Sequence, residues 1–108
     1  MATIEITRVG NGRQLWETLT AADVGEALVL PAGGGQLAVQ VVGTFGGTLT
    51  MQGTIDGTNW FTLITGPAGD EVVFTAAGYA EVSTAVYAVR PSAGAGVSDV
   101  DAHVRVVG

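Results

Sequence analysis

The stretch "GTFGGTLTMQGTIDGTNWF", residues 43–61, decides the fold. From Thr48 to Ile55 the odd positions are Leu49, Met51, Gly53 and Ile55, and the even ones are Thr48, Thr50, Gln52 and Thr54. Strict alternation of this kind marks a strand with one buried and one wet face. Glycine-centred turn signals flank it, Gly46-Gly47 before and Asp56-Gly57 after. Asp56-Gly57 favours a two-residue type I′ hairpin, whose central residues both need positive φ. That turn pairs Ile55 with Thr58 and Gly53 with Trp60. A four-residue loop over 56–59 instead pairs Ile55 with Trp60. Both registers put Trp60 on the apolar face, and in the first its ring covers Gly53. At Gly46-Gly47 a two-residue loop would set Phe45 opposite Thr48. A three-residue loop pairs Phe45 with Leu49 and restores the match, so an odd-length or bulged turn is expected there.

The alternation spreads outward from this stretch. Ile4 and Ile6 oppose Thr3, Glu5 and Thr7. Leu37, Val39, Val41, Gly43 and Phe45 form one face of the preceding run. Val100, Ala102, Val104 and Val106 alternate with Asp99, Asp101, His103 and Arg105 near the end. Strand candidates lie at 2–8, 13–19, 26–30, 36–45, 48–55, 59–65, 70–75 and 98–107, with shorter ones at 79–83 and 86–91. Turn residues separate them: Gly10-Asn11-Gly12, Pro31 to Gly35, Gly66-Pro67, Ala77-Gly78 and Ser92 to Gly96. The one helical candidate is a single turn from Thr20 to Val24, capped by Thr20 and ended by Gly25. About eight to ten short strands with regular turns predict an all-β fold, an antiparallel β-sandwich of jelly-roll or immunoglobulin-like type. With 108 residues and no composition shift, one domain over 1–108 is expected.

Ten Asp and Glu stand against four Arg (Arg8, Arg13, Arg90, Arg105) with no Lys, for a net charge of −6. That balance argues against nucleic acid or an anionic membrane as partner, because both need a basic footprint. The absence of cysteine excludes disulfides, zinc–thiolate sites and thiol catalysis. The start, "MATIEITRVG", lacks the basic segment and apolar run of a signal peptide, and no apolar stretch approaches the ~20 residues that cross a bilayer.

Catalytic candidates are few. His103 is the only histidine and shares a strand face with Asp99 and Asp101, a weak metal or acid–base grouping. A solvated strand face explains it better, because metal and catalytic sites draw ligands from several elements. Ser83, Ser92 and Ser98 lack a nucleophile context. "PAGGGQ" at 31–36 reads as a flexible loop; a phosphate loop would end in Gly-Lys-Ser/Thr. Asp70 and Glu71 offer too few oxygens for Ca²⁺ and read as charge at a strand entry. Trp16, in "RQLWETL", sits where odd and even positions both mix polar with apolar. Two placements follow: core, or an exposed anchor for a partner, since Trp is enriched at interface hot spots.

The stretch "VQVVGTFGGTLTMQGTIDGTNWFTL" (39–63) resembles a group of small tailed-bacteriophage structural proteins, in which a "GTFGG" turn precedes an alternating strand, "DGTNW" and another strand. "FTAAGYAEVSTAVYAVRPSAG" (74–94) extends the resemblance with a turn, a short strand ending in Val-Ser and an aromatic strand ending in Arg-Pro. It implies a virion protein without catalytic residues or cofactor: a capsid decoration (cement) protein made in the host cytoplasm. On the outer surface of the expanded head it would bridge neighbouring major capsid proteins. A tail or fibre accessory role belongs to the same class. The high apolar content of a chain with few charges adds the expectation of surface buried between copies, as a homotrimer. Gln52, Gly53, Asp56, Gly57 and Trp60 are also similar to a hairpin of discoidin-like carbohydrate-binding modules, which makes glycan binding the alternative.

Overall fold

A computed structural model describes residues 3–10, 13–30, 36–64, 70–82 and 86–107. The strands are β1 (Thr3–Ile4), β2 (Ile6–Gly10), β3 (Arg13–Leu19), β4 (Val24–Gly25), β5 (Leu28–Val29), β6 (Gln36–Thr44), β7 (Leu49–Thr54), β8 (Phe61–Thr62), β9 (Val73–Phe74), β10 (Gly78–Val82), β11 (Ala88–Ala93) and β12 (Asp99–Val107). They form two sheets. One runs β1-β4-β11-β7-β8, with β5 also on β11 and β9 on β7; the other runs β10-β6-β12-β3-β2. All pairings are antiparallel except β1 with β4. The expected β-sandwich is the fold. The glycine loop at 31–35, Asn11-Gly12, Gly66-Pro67 and Ser83 lie outside the described residues.

Alternation places the core where the sequence puts it. Leu37, Val39 and Val41 of β6 and Val100, Ala102 and Val104 of β12 face inward against Leu49 and Met51 of β7. Each fully buried side chain of this size contributes roughly 1.5–3 kcal/mol.

Gly46-Gly47 is a corner and not a hairpin turn. β6 and β7 belong to different sheets and do not pair with each other. Instead β6 pairs with β12 from Gln36↔Val107 to Thr44↔Asp99, and β7 pairs with β11 from Leu49↔Ala93 to Thr54↔Ala88. The four segments make one long antiparallel ribbon that folds from sheet to sheet. Residues 45–48 span the bend on one strand and 94–98 on the other, so the second carries one extra residue. The odd-length or bulged turn expected at Gly46-Gly47, with Phe45 opposite Leu49, does not form, because the two strands leave for different sheets. Backbone meets backbone at this bend. A Cβ on Gly46 would stand 2.5 Å from the Gly96 carbonyl oxygen, and one on Gly47 would collide with that of Ala95. Gly96 itself has φ +94°, and the Gly94 N–H donates to the Thr48 carbonyl at 2.8 Å. Glycine is required because no side chain fits between two strands at this distance.

The mixed pattern of "RQLWETL" is the trace of a β-bulge. Trp16 pairs with Ala102 and Leu19 with Val100, so three steps on β3 match two on β12. Thr18 takes up the difference at φ 57°, an unusual conformation for a β-branched residue. Its N–H donates to Asp101 Oδ1 at 2.9 Å. The bulge flips the phase, so Trp16 and Leu19 both face inward.

Between Thr20 and Asp23 the expected helical turn is a tight turn, and Gly25 belongs to β4. Asp23, not Thr20, organises it. Its Oδ2 accepts from the Thr20 N–H at 2.9 Å and the Thr20 hydroxyl at 2.8 Å, while Ala22 adopts φ 64°.

Candidate functional site

Trp16, the sequence candidate for a partner anchor, has no exposed surface. Its ring packs beneath β4, where a Cβ on Gly25 would lie 2.7 Å from Cδ1, and its Nε1–H donates to the Glu26 carbonyl at 3.0 Å. With its polar handle satisfied internally, it is a core residue.

Trp60 has the opposite placement. β7 and β8 pair Gln52 with Thr62 and Gly53 with Phe61. Both expected registers differ from this by one residue, and a one-residue slip sends every side chain to the other face. The cause is Asp56. Its Oδ1 accepts from the Thr58 and Asn59 N–H groups, each at 2.8 Å, and from the Thr54 hydroxyl at 3.1 Å; Oδ2 accepts from Asn59 Nδ2 at 2.7 Å. The Gly57 N–H donates to Thr54 Oγ1 at 3.0 Å. Only Gly57 has positive φ in this loop, whereas a type I′ turn needs two such residues. The Asn59 and Thr58 N–H groups hold the Asp56 carboxyl well below the usual carboxylate range. The loop therefore curls over the outer face of the seven-stranded sheet and covers Thr54, which is fully buried. Leu63 fills the space above Gly53, where a Cβ would lie 2.6 Å from Cδ2. Ile55, expected on the apolar face, is 70% exposed.

Trp60 consequently lies half-buried on the outer face, where the Arg90 guanidinium stacks 4.0 Å from its ring centroid. Arg90 faces Gln52 across the ladder, and its Nε–H donates to Gln52 Oε1 at 2.9 Å. Burial lowers the Arg90 pKa, yet a guanidinium stays charged at neutral pH. Among the described residues Arg90 makes no ion pair, and its side-chain hydrogen bond is the one from Nε. Around it the outward strand positions are Val24, Val29, Thr50, Thr62, Val73 and Ser92. Arg90 is the one charged side chain on the outward positions of β4, β5, β7, β8, β9 and β11. Tyr87, 51% exposed, closes one end by covering Gly57.

The other outer face is charged. Outward positions of the five-stranded sheet include Glu81, Asp99, Asp101, Arg105, Arg13 and Glu17. The His103–Asp99–Asp101 row lies here, but Asp101 is engaged by Thr18 at the bulge, and no metal-ligand cluster forms among the described residues. His103 instead borders a shallow groove of about 330 Å³ with Arg13, Gln40, Tyr79 and Arg105. Sequence reading missed both groupings. Arg90 meets Trp60 and Arg13 meets Arg105 only through ladders between distant segments.

No family model and no curated protein matches the chain. Among solved structures it is similar in fold to the SPBc2 prophage-derived protein YomS, at TM-score 0.69 and 13% identity over 89% of this chain and 93% of that one. A cupin domain from Bordetella pertussis Tohama I aligns at TM-score 0.49 and 11% identity over 95% and 90%. A chain of the Bacillus endospore appendages, described as disulfide-linked pili, aligns at TM-score 0.43 and 11% identity over 94% and 97%. At these identities the likeness is one of fold.

Proposed function

We propose that this chain is a virion structural protein of a tailed bacteriophage: a capsid decoration protein that bridges neighbouring major capsid proteins on the outside of the expanded head. It acts by binding and not by catalysis. The observation that carries the reading is the fold shared with a prophage-derived protein over nearly the whole of both chains. The sequence resemblance over 39–94 points the same way.

The contact face in this reading is the outer side of the seven-stranded sheet. Interface cores are poor in charge and rich in Trp, Tyr and Arg, and this face offers Trp60, Tyr87 and Arg90 amid Val, Thr and Ser. Repetition over a capsid lattice makes modest contacts sufficient through avidity. A homotrimer is the expected assembled form. Mass spectrometry of purified particles tests the role: the protein should appear at a copy number comparable with that of the major capsid protein. Absence from particles overturns the proposal, and a low copy number moves the protein to a tail or fibre accessory position.

A second reading is favoured by one feature. Trp60 lies half-buried on the outer face next to Arg90 and Gln52, an aromatic ring beside polar groups of the kind that recognises sugars. A glycan screen with a clear hit, lost in a folded Trp60→Ala variant, would establish a carbohydrate-binding module.

A further inference from the structure

A groove lined by Arg13, Gln40, Tyr79, His103 and Arg105 lies on the five-stranded sheet, opposite the proposed contact face. Arg13 of β3 and Arg105 of β12 are direct partners in the antiparallel ladder, so two like charges stand side by side on the outer face. Such opposition disfavours the free protein. Neither arginine has an ion pair among the described residues. One row along, His103 faces Gln40, and Gln40 faces Tyr79 of β10, which is 76% exposed. The groove lining contains two of the four arginines and the only histidine of the chain, but none of its ten carboxylates. The flanking acids stand outside the groove lining: Glu81 lies beyond Ala38 from Arg105, and Asp101, still charged, turns Oδ1 to the Thr18 N–H at the bulge.

The shape narrows the ligand. The groove crosses β10, β6, β12 and β3, which at ~4.8 Å between strands is about 14 Å. That exceeds a single oxyanion. A long polyanion such as nucleic acid would have to approach a protein of net charge −6. A short acidic segment, far smaller than a nucleic acid, fits the local basic pair and limits repulsion from the acidic remainder. We propose that this groove binds an acidic peptide segment of a partner protein. One carboxylate sits between the Arg13 and Arg105 guanidinium groups, and a neighbouring side chain lies against the Tyr79 ring. Paired guanidinium groups suit a carboxylate because their forked N–H donors match its two oxygens.

The site is independent of the virion role and is tested on the isolated protein. Amide chemical shifts are followed at low salt during titration with a hexaglutamate peptide, with hexaglutamine and inorganic phosphate as parallel arms. Expected is a saturable response confined to β3, β6, β10 and β12 with hexaglutamate alone. Arg13→Ala and Arg105→Ala should each weaken binding about tenfold or more, and Tyr79→Ala should do so by less. Each arginine variant should keep its fold and melt at the same or a higher temperature, because a like-charge contact is removed. Four outcomes would overturn the proposal: no response, a response away from the groove, hexaglutamine binding equally well, or binding that survives the double arginine variant. Phosphate binding as tightly as hexaglutamate would reassign the groove to free oxyanions and would likewise overturn it.

Discussion

Trp16 and Trp60 carry the same side chain to opposite places. Trp16 is sealed inside the sandwich with its indole N–H donating to Glu26; Trp60 lies on an outer face with an arginine stacked on it. Neither placement follows from the residue or its immediate neighbours. Each is set by one irregular position close by: the Thr18 bulge after Trp16 and the Asp56 loop before Trp60. In both cases a carboxylate accepts from backbone at the irregular position, one N–H at Asp101 and two at Asp56, and fixes the phase of the strand. An aromatic residue is thus assigned to core or surface by a polar residue that holds the backbone nearby.

The sharpest way to break the comparison is to truncate both rings. Trp16→Ala should cost about 3–5 kcal/mol, read as a fall in the urea midpoint, because it empties a fully buried site. If Trp60→Ala costs as much, the distinction fails. The expected cost there is about 1 kcal/mol with the fold kept, and most of it should vanish in an Arg90→Ala background, where the cation–π contact is already gone.

Asp56→Ala removes the carboxylate that fixes the loop, and its effect should depend on pH. The folded-state pKa of Asp56 is depressed from its ordinary value of 3.8, so its contribution is fully present above that value and fades as pH falls below it. The stability gap between wild type and variant should be constant near neutrality and shrink in acid. A gap that widens in acid would mean the loop is held by something other than the ionised carboxylate. The smallest effect belongs to the other irregular position. Thr18→Gly relieves a positive φ while keeping the N–H donated to Asp101, and should stabilise by roughly 0.5 kcal/mol in the same denaturation assay. A loss of stability there would show that the bulge is held by the threonine side chain.

These pairs also show what could be read from the sequence. Alternation located the long strands and their buried faces, Leu37 to Val41, Leu49 to Gly53 and Val100 to Val104, because period two is a local property of the chain. The turn chemistry located the breaks but not their geometry. Gly46-Gly47 looks like a hairpin to its own neighbours and becomes a corner only because residues 94–98, far along the chain, lie against it. Asp56-Gly57 satisfies the two-residue rule, yet hydrogen bonds from Thr58 and Asn59 to one side chain outweigh it. The two outer faces were hidden for the same reason. Arg90 with Trp60, and Arg13 with Arg105, are contacts of topology, and only the mixed pattern around Trp16 hinted at an irregularity.

The folded ribbon has a mechanical consequence. β6 continues into β7 and β11 into β12 across the glycine corner, so two covalent chains, cross-linked by ladder hydrogen bonds on either side of the bend, join one outer face to the other. A load pulling the two faces apart would run along main chain and load those rungs in shear, instead of resting on apolar side chains that separate easily under tension. The corner is a tendon. A protein gripped on both faces would stay joined at that end by main chain even where its apolar core is strained.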